Sequence, residues 1–188
     1  GILAEDLCRL GLDVTGIDAA PENIEIARAH AKESELLRDA SASARIYGTG
    51  PLQYRHISAD ALASEGGAES YDAVVCSEVV EHVSDLKEMV RQLCALVKPK
   101  GAMMITTINR TKISYALSIV AAEHVLGIVP PGTHDWDKYV TPEELTELLA
   151  QNGVQVERVI GAVYNTLTDE WYSAPETSVN YLVFATKK

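Results

Sequence analysis

Basic residues are scarce in this 188-residue chain: 16 Lys and Arg against 27 Asp and Glu leave a formal net charge of −11. A surface that acidic repels phosphate backbones, which argues against nucleic acid as a partner. Cysteine is scarcer still. Cys8, Cys76 and Cys94 are an odd number without CxxC or Cys/His finger spacing, so neither a disulfide framework nor a structural zinc is indicated, and a reducing compartment fits. The most apolar run, residues 113–129, is short for a bilayer span and carries Glu123 and His124 in its middle, so it is not expected to cross a membrane. No internal repeat appears. What is present, 47% hydrophobic and 23% charged residues, matches one globular domain and excludes disorder, collagen and coiled coil.

The chain opens on Gly1 rather than Met and enters at once the helical pattern Ile2, Leu3, Leu7, Leu10, stopped by Gly11. The start is therefore expected to be cut, with a strand and a glycine turn lost ahead of Gly1. Asp13 to Asp18 reads as a strand, Pro21 opens a helix through Ile24, Ala27, Ala31 and Glu35, and Asp39 to Pro51 reads as a loop. Leu52 to Ser58 and the apolar run Tyr71 to Cys76 are further strands. A helical period covers Val83 to Val97 and closes at Lys98 to Gly101. Ala102 to Thr107 is the next strand, and Thr141, Pro142 and Glu144 predict a capped helix to about Gln151. Val154 to Tyr164 and Val179 to Thr186 have no helical pattern between them and should pair antiparallel. The pattern is that of an open α/β sheet, parallel where helix and strand alternate, with one reversed strand near its C-terminal end.

Ligands in such sheets sit at the carboxyl ends of the strands. Asp18 ends the first strand, where a carboxylate suits both hydroxyls of a ribose or simply complements the dipole of the helix opened by Pro21. Asp60 with Ala61 occupies the matching place for adenine contacts after the next strand, or is an ordinary loop. Glu78, Glu81 and His82 stand at i, i+3 and i+4 directly after the buried strand. On a first helical turn they would share one face, as a divalent-cation site for Mg²⁺ or a metal that favours nitrogen, or as carboxylates that complement a helix N-terminus. Residues 110–135 form an insert that could cover an apolar substrate, dip into anionic lipid behind Arg110 and Lys112, or merely cover the sheet. A nicotinamide dehydrogenase would use Asp18 equally well, but the antiparallel closing pair and the SEVVEH cluster have no place in hydride transfer.

From Gly1 nearly to its end, the chain resembles the ubiquinone biosynthesis O-methyltransferases, class I enzymes that use S-adenosylmethionine. The pieces that carry the resemblance are GILAEDL, VTGID, CSEVVEHV, LVKPKG, TTINRT, SYALSIVAAEH, GIVPPGTHDW, YVTPEEL and VNY. CSEVVEHV, TTINRT and GTHDW in this order are the specific ones, and the wording is similar to the mitochondrial branch. The resemblance implies a Rossmann-like domain over residues 1–188 that transfers a methyl group to a catechol-type hydroxyl of a polyprenylated benzoate or quinol. It assigns Asp18 and Ser77 to the cofactor and Glu78, Glu81 and His82 to Mg²⁺; Asp60 and Ala61 remain candidates for the adenine by position alone, and His82 or His134 is the alternative to the metal, as a base for the phenolic proton. It also implies a peripheral place on the matrix side of the mitochondrial inner membrane, among other ubiquinone-synthesis proteins. The family's glycine-rich cofactor loop is absent except for Gly1, so this chain alone is expected to bind the cofactor poorly. The alternatives are a non-catalytic scaffold subunit and a methyltransferase for another small catechol.

Overall fold

The structure, a computed structural model, describes residues 1–33, 50–119, 130, 132, 135–165, 168 and 170–188. Most of the expected loop from Asp39 to Pro51, the expected helix end at Glu35, much of the 110–135 insert and His134 lie outside them. The described residues form two compact units, Gly1–Leu62 and Ala63–Lys188.

In the first unit, α1 (Ile2–Arg9) leads to Gly11, whose φ of 90° provides the left-handed stop, and then to β1 (Val14–Asp18), α2 (Pro21–Glu33), β2 (Leu52–His56) and the short α3 (Ala59–Leu62). β1 and β2 pair in parallel, from Val14 opposite Leu52 to Asp18 opposite His56. Ile24 and Ala27 of α2 bury themselves with Tyr54 of β2, flanked by Ala4, Ala31 and Leu52. The Tyr54 hydroxyl donates to the Gly1 carbonyl at 2.8 Å, and burial, helped by the nearby charge of Glu5, pushes its pKa up to about 12. Glu5 is itself buried, paired with Arg9 at 3.1 Å and within hydrogen-bond distance of His30 Nδ1 at 2.8 Å.

The second unit begins with a π-type turn (Ala63–Gly67) and β3 (Tyr71–Ser77), then a single 3₁₀ turn (Val80–His82), α4 (Leu86–Leu96) and β4 (Val97–Ile108). After α5 (Lys112–Ser114) and a 3₁₀ turn (Trp136–Lys138) come α6 (Pro142–Gln151), β5 (Val154–Asn165), β6 (Glu170–Ala174) and β7 (Asn180–Lys187). The sheet order is β3-β4-β7-β5-β6. β3 and β4 are parallel, and every other pairing is antiparallel. The expected antiparallel closing pair is β5 with β7. A second reversed strand, β6, joins them at the edge, and its exposed EWYSA sequence offers no alternation from which to read it. Lys98 to Gly101, expected as a stop, is drawn into an irregular start of β4, with Lys100 at φ 65°. α4 packs on α6 and β3, and α6 on β5, over a core that includes Val90, Leu93, Leu145, Leu149, Met103, Ile105 and Val183.

The capping box predicted from Thr141 and Glu144 is present on both sides: the Thr141 hydroxyl accepts from the Glu144 amide, and the Glu144 carboxylate accepts from the Thr141 amide at 2.9 Å. Arg110, just past β4, pairs with the same carboxylate and donates to the Tyr139 carbonyl at 3.1 Å. Burial works to raise the Glu144 pKa, but the Thr141 amide and the Arg110 guanidinium outweigh it and hold the group below its ordinary range. A lowered folded pKa means that the stabilisation is complete above the unfolded value near ~4.3 and is lost as pH falls through the folded one. Glu144 is 42% exposed, so solvent screens the pair. Glu144→Gln is therefore expected to cost about 0.5 kcal/mol at neutral pH and to flatten the acid limb of the Tm-against-pH curve. Acid limbs that run parallel for the two proteins would remove Glu144 as its source.

Candidate functional site

Each unit carries its candidate residues where a strand ends. In the first unit Asp18 is half-buried at the carboxyl end of β1, and Pro21 starts α2 three residues later. Its Oδ1 accepts from the Ala20 amide at 2.7 Å and its Oδ2 from Asn23 Nδ2 at 3.0 Å. Both sequence readings of Asp18 thus have a physical basis. The carboxylate supports the entry to α2, and because a carboxylate has about four acceptor positions, two such bonds leave capacity for a pair of hydroxyls. Asp60 is exposed in α3, and the Ala61 amide donates to Ser58 Oγ at 3.2 Å, an N-cap that fixes this short turn after β2.

In the second unit β3 runs through Ser77, and the expected helix does not start there. Glu78 stands in the left-handed region at φ 52°, a conformation that disfavours a side chain and that recurs where a chain must turn sharply at a site. The chain then makes only the 3₁₀ turn Val80–His82 before Asp85 caps α4, its side chain accepting from the Glu88 amide. As a result Glu78, Glu81 and His82 do not share one face. Glu78 and His82 are exposed, whereas Glu81 is 3% exposed and accepts a hydrogen bond from the buried Thr107 hydroxyl at 2.7 Å. Among the described residues no group of three or more His, Cys, Asp or Glu side chains is placed to hold a metal ion. The spacing that suggested a common face assumed 3.6 residues per turn, and a left-handed residue followed by a tighter turn breaks that period.

Two threonines that the sequence pattern gave no role fix this turn. Ser77 Oγ lies 2.9 Å from Thr106 Oγ1, and the Glu78 amide donates to the Thr106 carbonyl at 3.0 Å. Thr107, next in β4, holds Glu81 from the other face of the sheet. Cys76, just before this turn, is not a nucleophile. Burial, then the charges of Glu81 and Glu78, push its thiol up to about 12, so it is protonated at neutral pH.

Residues 1–159 match the methyltransferase domain family. The chain is 45% identical over 185 residues to the ubiquinone biosynthesis O-methyltransferase of Methylobacterium sp. (strain 4-46), covering 98% of this chain and 68% of that protein. To the human mitochondrial ubiquinone biosynthesis O-methyltransferase it is 43% identical over 187 residues, covering all of this chain and 47% of the human one. Among solved structures, an S-adenosylmethionine-dependent methyltransferase of Methanosarcina mazei superposes with a TM-score of 0.68 at 17% identity, over 97% of this chain and 85% of that one.

Proposed function

The chain belongs to the ubiquinone biosynthesis O-methyltransferase family, with the class I fold of S-adenosylmethionine-dependent methyltransferases, and from that premise we propose that it methylates a catechol-type hydroxyl on a polyprenylated benzoate or quinol ring. The observation that carries this reading is the 45% identity over 185 of the 188 residues. S-adenosylmethionine supplies the methyl group on a sulfonium sulfur. Asp18, whose carboxylate has acceptor positions left for ribose hydroxyls, Asp60 and Ala61 in the first unit, and Ser77 in the second, are the residues that would hold it. His82, exposed at the close of the 3₁₀ turn, takes the phenolic proton. A Mg²⁺ ion on Glu78, Glu81 and His82 is not part of this reading, because the three side chains do not converge.

Among the described residues no helix is long and apolar enough to cross a membrane. Ile113 and Leu117 are more than half exposed behind Arg110 and Lys112, an arrangement that suits peripheral contact with an anionic bilayer and delivery of a greasy ring. The mitochondrial relatives support a mitochondrial site, for which we infer the matrix face of the inner membrane, beside the other ubiquinone-synthesis proteins.

The test is transfer of labelled methyl from S-adenosylmethionine to a short-tailed dihydroxybenzoate. The chain is assayed as it stands and with the family's glycine loop joined ahead of Gly1. Transfer by the loop-bearing protein, lost with His82→Ala and unchanged when Mg²⁺ is chelated, is the expected result. No transfer by that protein would replace this reading with the scaffold subunit.

A further inference from the structure

A buried carboxylate is costly unless it is tied to something, and Glu81 is a buried acidic side chain that belongs to no cluster of three or more potential metal ligands among the described residues. What it has is Thr107, fully buried and hydrogen-bonded to it at 2.7 Å. Thr107 stands in register with Tyr181 of β7 on the core face of the sheet. Thr106, one residue earlier, points to the opposite face and reaches Ser77 at 2.9 Å, while its carbonyl accepts from the amide of the left-handed Glu78. The two threonines at the carboxyl end of β4 therefore grip the Ser77–His82 turn from both faces of the sheet, Thr106 at its first residue and Thr107 at its fifth. A left-handed residue followed by a single 3₁₀ turn has little stability of its own, so its shape depends on these two attachments.

We propose that Thr106 and Thr107 form a two-sided clamp that sets the Ser77–His82 turn in its ligand-binding shape, and that Glu81 is a positioning residue held by that clamp rather than a metal ligand. The clamp gives the pieces CSEVVEHV and TTINRT one shared purpose: each supplies half of it. The placement of Ser77 toward the cofactor rests on the function proposed above, whereas the clamp itself rests on the contacts alone.

Amide hydrogen exchange at Glu78 and His82 tests the clamp in the 188-residue chain. Thr107→Val and Glu81→Leu are each expected to speed exchange at both amides about tenfold, and the double variant no more than either alone, because both remove the same bond. Thr107→Ser and Glu81→Gln, which keep a donor and an acceptor, are expected to exchange as the parent does and cover the case in which the apolar variants fail to fold. In the loop-bearing protein Thr106→Val is expected to raise the KM for S-adenosylmethionine about fivefold with kcat changed less than twofold, a split that a general loss of stability does not produce. Mn²⁺ is the metal probe. Addition of millimolar Mn²⁺ to the parent chain is expected to leave the resonances of Glu78, Glu81 and His82 unbroadened. Broadening that Glu81→Gln abolishes and Thr107→Val preserves would overturn the proposal in favour of a metal ligand, and additive exchange effects would overturn the clamp. Absence of methyl transfer from every protein would end the functional reading while the exchange results still decided the clamp.

Discussion

Asp18→Ala is expected to weaken binding of S-adenosylhomocysteine to the loop-bearing protein about 100-fold, measured by calorimetry. The carboxylate is proposed to accept from two ribose hydroxyls, and hydrogen bonds to a charged acceptor contribute about 1.5 kcal/mol or more each. Losing two removes about 3 kcal/mol, which at 1.4 kcal/mol per decade is roughly two orders of magnitude. The same oxygens accept from the Ala20 amide and Asn23 Nδ2, so alanine also loosens the entry to α2, by about 1 kcal/mol. Two further variants separate these effects. Asn23→Ala removes only the lateral support of the carboxylate and is expected to weaken binding less than tenfold. Asp18→Asn keeps an acceptor for the Ala20 amide but loses the charge, and is expected to fall between the two. Near-parental affinity in Asp18→Ala with α2 intact would leave Asp18 as a helix-entry carboxylate and nothing more.

Asp18 was legible because its place follows from topology: a strand, an acidic residue at its end and a proline three residues on can be read without knowing any contact. The capped helix from Pro142 was legible for a similar reason, since a capping box is a local pattern of residue types and the structure reproduces both of its hydrogen bonds. The Ser77–His82 turn was not. Spacing at i, i+3 and i+4 specifies a shared face only if the chain is helical, and the left-handed Glu78 depends on the Thr106 carbonyl, 28 residues away in sequence. Thr106 and Thr107 appeared only as letters of a motif, because a threonine in a strand is ordinary until its hydroxyl is seen to face a carboxylate. Strand β6 escaped for a different reason. It lies at a sheet edge with exposed Trp171 and Tyr172, so burial imposes no alternation on its sequence. What the sequence expressed well was whatever local chemistry decides, and what it hid was whatever a distant strand decides.

Gly161→Ala is expected to be the most damaging small substitution in the second unit, for a reason of that distant kind. Gly161 lies inside β5 and is paired on both sides, with Ala174 of β6 and Tyr181 of β7. The chain leaving β6 passes directly over it: a Cβ at this position would sit 1.6 Å from the Glu176 carbonyl oxygen and 3.0 Å from that of Ala174. Both obstacles are backbone, so no rotamer change relieves them, and the Ala174–Glu176 segment must lift off the sheet. Overpacking usually costs 1–3 kcal/mol, and a clash with backbone between two paired strands places this one at about 3 kcal/mol. For a chain of this size that lowers Tm by roughly 6–12 °C. Val163, two residues along β5 and on the same face, is 49% exposed, so Val163→Ala is expected to cost less than about 1 kcal/mol. The contrast is the test: adding one methyl at 161 should hurt more than removing two at 163. If thermal unfolding followed by circular dichroism gives the two variants equal Tm values, the segment after β6 does not lie over Gly161.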